Sequence, residues 1–317
     1  MTQQSFLSGA ARVARRWAAA GAVGYVFVFY SEMVFWARLK TEEHLAEYPA
    51  TWLVYSLAAF ATLAVAERFR ARGWHAFFLC GAVFGWLIEG IVVQTTYEDL
   101  PLSISFTGLG WHAPITLGLG WWLMSRYLAE QSWRRTAALS LGLGLFFGLW
   151  AVCWWFEEDD VRTPAEFCRY VFGCSLPLIA AHAIWHRRWW TRPSRVEEGL
   201  LAGFIAVVFC LGTVPAAPMA AILAPLLFGS ALWALHRLGA AQTESGLAAL
   251  AGPARPEQLF LTLLIPATAV TVYTGIHATG LRPPTHWVVY IVTTPLGFLL
   301  YGWAFWRALR VRRRVLL

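Results

Sequence analysis

Residues 74–94 read WHAFFLCGAVFGWLIEGIVVQ. The stretch contains one carboxylate, Glu89, and no lysine or arginine. Wound as an α-helix its 21 residues span about 32 Å, which matches the roughly 30 Å hydrocarbon core of a bilayer. Arg68, Arg70 and Arg72 precede it, and the polar run Thr95, Thr96, Tyr97, Glu98 and Asp99 follows. A membrane-spanning helix with one basic end is the direct reading.

The same signature recurs along the chain. Ten apolar stretches have the required length: 17–37, 51–66, 74–94, 104–128, 136–155, 165–186, 199–215, 218–237, 258–279 and 286–308. The prolines between Val214 and Pro218 allow either a tight turn or a kink within one longer element. The composition agrees. Of 317 residues, 58% are hydrophobic and 14% charged, against about 25% charged in soluble domains. Such a chain cannot clothe a soluble globule in polar groups, and the same figures exclude disorder, collagen, coiled coil and a disulfide scaffold. The expected fold is all-α: a single polytopic domain over residues 1–317, a bundle of about ten transmembrane helices.

The net charge of +7 and pI near 9.4 do not point to nucleic acid, because the basic residues sort by loop. With the N-terminus inside, 20 of the 25 lysines and arginines fall in inside segments, and Arg38, Lys40, Arg162, Arg169 and Arg282 remain outside. That is the positive-inside pattern, and it places both termini in the cytoplasm and the protein in the cell (inner) membrane. The apolar run after Arg12, Arg15 and Arg16 is too long for a cleaved signal peptide and reads as a signal anchor. Many of the tryptophans (Trp17, Trp36, Trp52, Trp74, Trp133, Trp154, Trp155, Trp189, Trp190, Trp287, Trp306) sit near expected helix ends, as in an aromatic belt. Four helices pair a proline with a tryptophan eight residues on (Pro114/Trp122, Pro177/Trp185, Pro225/Trp233, Pro295/Trp303), which suits either a duplicated hairpin or ordinary interface placement. The glycine runs, such as Gly81, Gly85 and Gly90, read as close helix packing.

The loops are short, so any chemistry lies in the membrane or at its faces. Carboxylates in a bilayer are costly and mark candidate sites. Glu32, in FYSEMVFW, and Glu89, in FGWLIEG, lie about 9 and 8 Å below the outer end of their helices. His112, in GLGWHAP, lies about 12 Å deep on an antiparallel neighbour, and Arg169 about 6 Å deep on the sixth helix. Glu32, Glu89, His112 and Arg169 form one candidate cluster. Glu89 and His112 are its acid/base pair, Glu32 a second carboxylate, and Arg169 an anchor for an anionic group. Tyr97, Trp111 and Trp86 are expected at the substrate. A His beside a carboxylate exchanges protons near neutral pH. The structural alternative is a network of Glu–Arg and Glu–His pairs, or side chains snorkelling to the interface.

The segment 156–162, FEEDDVR, has EExxxR spacing and resembles the first motif of CPBP-type intramembrane proteases, in which a glutamate pair activates water. The resemblance covers six residues. The family's FxxxH and HxxxN motifs have no counterpart: no His has Phe four residues before it, and neither His277 nor His286 has Asn four after it. A solvated outer loop explains the acidic run. His182 and His186 share a helix face at metal-binding spacing, but lie beside Arg187 and Arg188, where interfacial His is ordinary. No metal site is assigned and the sequence names no cofactor. The five cysteines read as buried hydrophobes, with Cys153 and Cys168 the one conceivable disulfide. Three functions fit: a membrane-embedded enzyme acting on a lipid or isoprenoid-like substrate, a small-molecule permease, proton-coupled through Glu32 and Glu89, or a structural subunit. The expected partners are membrane lipid and a hydrophobic or small-molecule ligand.

Overall fold

The computed structural model describes residues 3–39, 47–157 and 161–311. Lys40, His44, Glu158, Asp159, Asp160, Arg312, Arg313 and Arg314, which entered the charge sorting, the histidine count or the acidic run, lie outside the described residues.

The described residues form helices and no strand. In chain order α1 (Gly9–Trp36), α2 (Glu47–Arg68) and α3 (Gly73–Val92) come first. The next element, α4 (Gly108–Leu123), is a π-helix, continued by an α-helical turn and a half over Met124–Ala129. Then come α5 (Trp133–Phe156), α6 (Pro164–Trp185), α7 (Arg195–Ala216), α8 (Ala220–Gly239), α9 (Pro256–Thr279) and α10 (Thr285–Arg310). Among the described residues nine of these, all but α4, are long and apolar enough to cross a membrane. The protein is thus a polytopic helical bundle. The sequence count of ten becomes nine such helices and one π-helical segment. The segment GLGWHAPITLGLG carries four glycines, a histidine and Pro114, which make it less apolar than the other spans and leave the α ladder one N–H short at the proline. The Val214–Pro218 prolines mark a break, since α7 ends at Ala216 and α8 starts at Ala220.

The bundle has a centre and a periphery. In α3 89% of the apolar window is buried, in α1 72%, and in α7 only 6%. α1 packs along α2 and α6, α3 along α4 and α8, and α5 along α9. Small residues set the closest approach. A Cβ on Gly81 would stand 2.7 Å from the Ala113 Cα, and one on Gly85 2.5 Å from the Gly108 carbonyl oxygen. The glycine pattern of α3 therefore brings its backbone against α4. On α7, Leu200, Phe204, Val207 and Leu211 point outward, as expected of a lipid-facing helix.

Charge sorting is visible in space. Arg16 donates to the Arg192 carbonyl at 2.7 Å and pairs with Glu197 at 2.9 Å. Arg70 reaches the Gln242 carbonyl, Arg237 the Val311 carbonyl, and Gly252 packs on Ala129. One face of the bundle so collects the arginine-rich segments, together with the N-terminal part of α1 and the end of α10. The tryptophan belt is only partly a belt. Trp133, Trp287 and Trp306 are exposed near helix ends, but Trp154 and Trp155 are buried. Trp150 and Trp154 both donate to the Phe35 carbonyl, and Trp155 donates to the Tyr273 hydroxyl. All five cysteines are free, so Cys153 and Cys168 form no disulfide.

Candidate functional site

Three interior helices leave α geometry on the face opposite the arginines. In α1 the π turn is Phe29–Met33, which holds Ser31 and Glu32. In α3 it is Leu87–Val92, which holds Glu89. His112 lies in the π-helical α4. A π turn inserts one extra residue and re-aims the side chains around it, and such turns recur at functional sites. A fourth, Phe209–Thr213 in α7, touches the same region, because the buried Thr213 hydroxyl donates to the Ile91 carbonyl at 2.8 Å.

The re-aimed side chains meet. His112 Nε2 lies 2.7 Å from Glu89 Oε1, with the His side chain 3% and the Glu side chain 12% exposed. The Thr95 hydroxyl donates to the other oxygen of Glu89. His112 Nδ1 lies 2.9 Å from Ser31 Oγ, which in turn lies 3.0 Å from Thr116 Oγ1. Glu32 accepts from the Tyr55 hydroxyl at 2.5 Å and from Trp36 Nε1 at 3.1 Å. Ser31 and Glu32 are neighbours in the π turn of α1, which sets the Glu32 group beside the His112 group. An Nε2 proton directed at Glu89 leaves Nδ1 as an acceptor facing Ser31.

Ser31, Glu32, Glu89 and His112 share the wall of a cavity of about 960 Å³. Phe35, Trp36, Phe106, Trp111 and Tyr290 supply its aromatic lining, and Glu98 and Asp99 its polar end. Its remaining rim carries Val93, Leu102, Trp287 and Ile291, all exposed and the last 67% so. Trp287 and Ile291 belong to the membrane-length α10, so the cavity opens sideways past apolar side chains as well as toward the 94–103 connection.

Of the residues singled out from sequence, Glu32, Glu89, His112 and Trp111 converge here, and Trp111 is fixed by donating to the Tyr30 carbonyl at 2.9 Å. Arg169 does not join them. It is exposed on α6, with Glu166 as its charged neighbour. Trp86 is buried, donates to the Ile104 carbonyl at 3.0 Å and does not line the cavity. Tyr97 sits half-buried against Gly90, where burial pushes its phenol up. Ser31, Tyr55 and Thr116 were missed. Only the adjacency of Ser31 to Glu32 could have signalled one of them.

The described residues contain no group of three or more His, Cys, Asp or Glu placed to hold a metal. His182 and His186 do share a face, with ring centroids 6.5 Å apart, and His186 Nδ1 lies 2.5 Å from the Gly252 carbonyl oxygen. Burial lowers His186 to about 4, with the Gly252 hydrogen bond acting the other way. No protein family, curated protein or solved structure matches the chain.

Proposed function

We propose that this protein is a membrane-embedded enzyme that performs acid/base chemistry on a lipid or isoprenoid-like substrate, with Glu89 and His112 as the proton-transferring pair. One observation carries the reading: a buried, hydrogen-bonded Glu–His pair on the wall of a large cavity that opens sideways between membrane-length helices. A purely structural pair would fill its own space. This one borders about 960 Å³ of room. The volume suits a lipid headgroup region with the first part of its chains, since ligand sites commonly enclose about 300–1,000 Å³. The exposed apolar rim gives acyl or isoprenoid chains a path from the bilayer, and Glu32 with its Tyr55 donor supplies a second carboxylate near the mouth. The arginine-rich face lies in the cytoplasm in this reading, so the site faces outward in the outer part of the membrane.

The test is a comparison of total lipid extracts from wild-type and deletion cells. A lipid species that accumulates in the deletion, and disappears on restoring the gene, is the expected result. Indistinguishable extracts would overturn the reading and favour transport through the same cavity.

A further inference from the structure

The reaction class follows from a residue that the acid/base pair does not itself require. We propose that Ser31 is a nucleophile and that Ser31, His112 and Glu89 form an acyl-transfer triad that cleaves a lipid ester. The proposal rests on the enzyme reading above and specifies its chemistry.

The geometry is that of a nucleophile, its base and the base's orienting acid. Ser31 Oγ is 2.9 Å from His112 Nδ1, and His112 Nε2 is 2.7 Å from Glu89 Oε1. Both distances lie in the range expected of a working nucleophile–base pair. The ring is turned relative to the common serine triad, with the carboxylate on Nε2 and the serine on Nδ1. Either imidazole nitrogen serves as the base once the other carries the proton. Among the described residues Ser31 Oγ hydrogen-bonds with His112 Nδ1 and Thr116 Oγ1, and of these two His112 Nδ1 is the base. Tyr55 commits its proton to Glu32. Thr116, with its hydroxyl 3.0 Å from Oγ, gives the serine a second hydrogen-bond partner. The Phe29–Met33 π turn aims this otherwise buried side chain at the cavity wall.

Depth selects the substrate class. Ser31 is five residues inside Trp36, the last residue of α1, or about 8 Å below the helix end. The polar interface of a bilayer is about 5–8 Å thick on each side. The 28 residues of α1 span about 42 Å, the thickness of a bilayer with its headgroups, and in that placement the serine lies where the interface meets the hydrocarbon, the level of the ester carbonyls of a glycerolipid. In the reaction Ser31 Oγ attacks the ester carbonyl carbon while its proton passes to His112 Nδ1. The carbon–oxygen bond to the leaving alcohol breaks, and that alcohol takes the proton from His112. Water, giving a proton to the same nitrogen, then attacks the acyl carbon, the carbon–Oγ bond breaks, and His112 returns that proton to Ser31 Oγ. The products are a fatty acid and the freed alcohol, with Ser31 restored.

The test uses the purified full chain in detergent and a fluorophosphonate with a long alkyl chain, followed by peptide mass spectrometry. The expected adduct is on Ser31. It forms at least a hundredfold more slowly in His112→Ala and at least tenfold more slowly in Glu89→Gln. A wild-type protein without the adduct, or one labelled equally fast after His112→Ala, overturns the triad. Ser31→Cys guards against a misfolded Ser31→Ala. A lipophilic maleimide should modify Cys at this position faster with His112 present than in the His112→Ala background, and equal rates count against the triad. Lipid extracts separate the two claims. If Ser31→Ala leaves them at wild type while His112→Ala changes them, the nucleophile fails and the acid/base reading stands. If neither variant changes them, both fail.

Discussion

At the scale of single residues the site depends on a few buried hydrogen bonds around His112. His112→Ala removes the base and leaves Glu89 with the Thr95 hydroxyl but without its imidazole partner. Turnover should fall by about a hundredfold to ten-thousandfold, the usual contribution of general acid–base catalysis, as read from the rate at which the accumulating lipid is consumed in isolated membranes. Tyr55→Phe is subtler. It strips the 2.5 Å donor from Glu32 and leaves Trp36 as the donor to it among the described residues. A buried acceptor that loses its donor costs about 1–3 kcal/mol, so the melting temperature in detergent should drop while the triad distances persist. Glu32, Glu89 and His112 were legible in sequence because ionisable residues in apolar runs are rare. Ser31, Tyr55 and Thr116 were not, because hydroxyl residues are ordinary in membrane helices and nothing marks which of them points inward. Arg169 illustrates the converse: position along a helix says nothing of direction, and its side chain is exposed and not among those lining the cavity.

At the scale of elements the account turns on how closely α3 and α4 approach and on how α1 is tethered. Gly85→Ala places a methyl 2.5 Å from the Gly108 carbonyl, an overpacking of about 1–3 kcal/mol. Gly142→Ala, on α5, meets nothing within 4 Å and should be neutral or slightly stabilising. Thermal melting of the two variants checks the contrast. Arg16, 5% exposed, ties α1 to the α6–α7 connection through Glu197 and the Arg192 carbonyl. Its removal should cost on the order of 3 kcal/mol, far more than removal of the exposed Arg135. His186 adds a pH test. Its folded value of about 4 lies below the ordinary imidazole value of 6.5. The unfolded chain therefore binds the proton more readily, and stability is lost as pH falls from 6.5 toward 4. His186→Gln should flatten that part of the melting profile. Spans and breaks were readable from hydropathy and proline. The π turns were not, because a one-residue insertion in helical winding leaves the apolar pattern intact.

At the scale of the whole molecule most of the arginines gather at one face, and the cavity lies toward the opposite one. In the proposed orientation, cysteine introduced at the exposed Thr243 reacts with a membrane-impermeant maleimide only after the cells are permeabilised, while one at Asp99 or Leu281 reacts in intact cells. The reverse pattern would turn the protein over and place the site at the cytoplasmic side. The sorting itself was legible because each arginine cluster is adjacent in sequence to the end of its helix. Which tryptophans belong to the belt was not, since Trp154 and Trp155 sit at a helix end yet pack inward on Phe35 and Tyr273.

The most direct test sets deletion cells restored with wild type beside the same cells restored with His112→Ala expressed to the same level and melting at a similar temperature. The lipid that accumulates in the deletion should vanish with the wild-type gene and persist with the variant. Clearance of that lipid by His112→Ala at the wild-type rate would contradict the role of the Glu89–His112 pair.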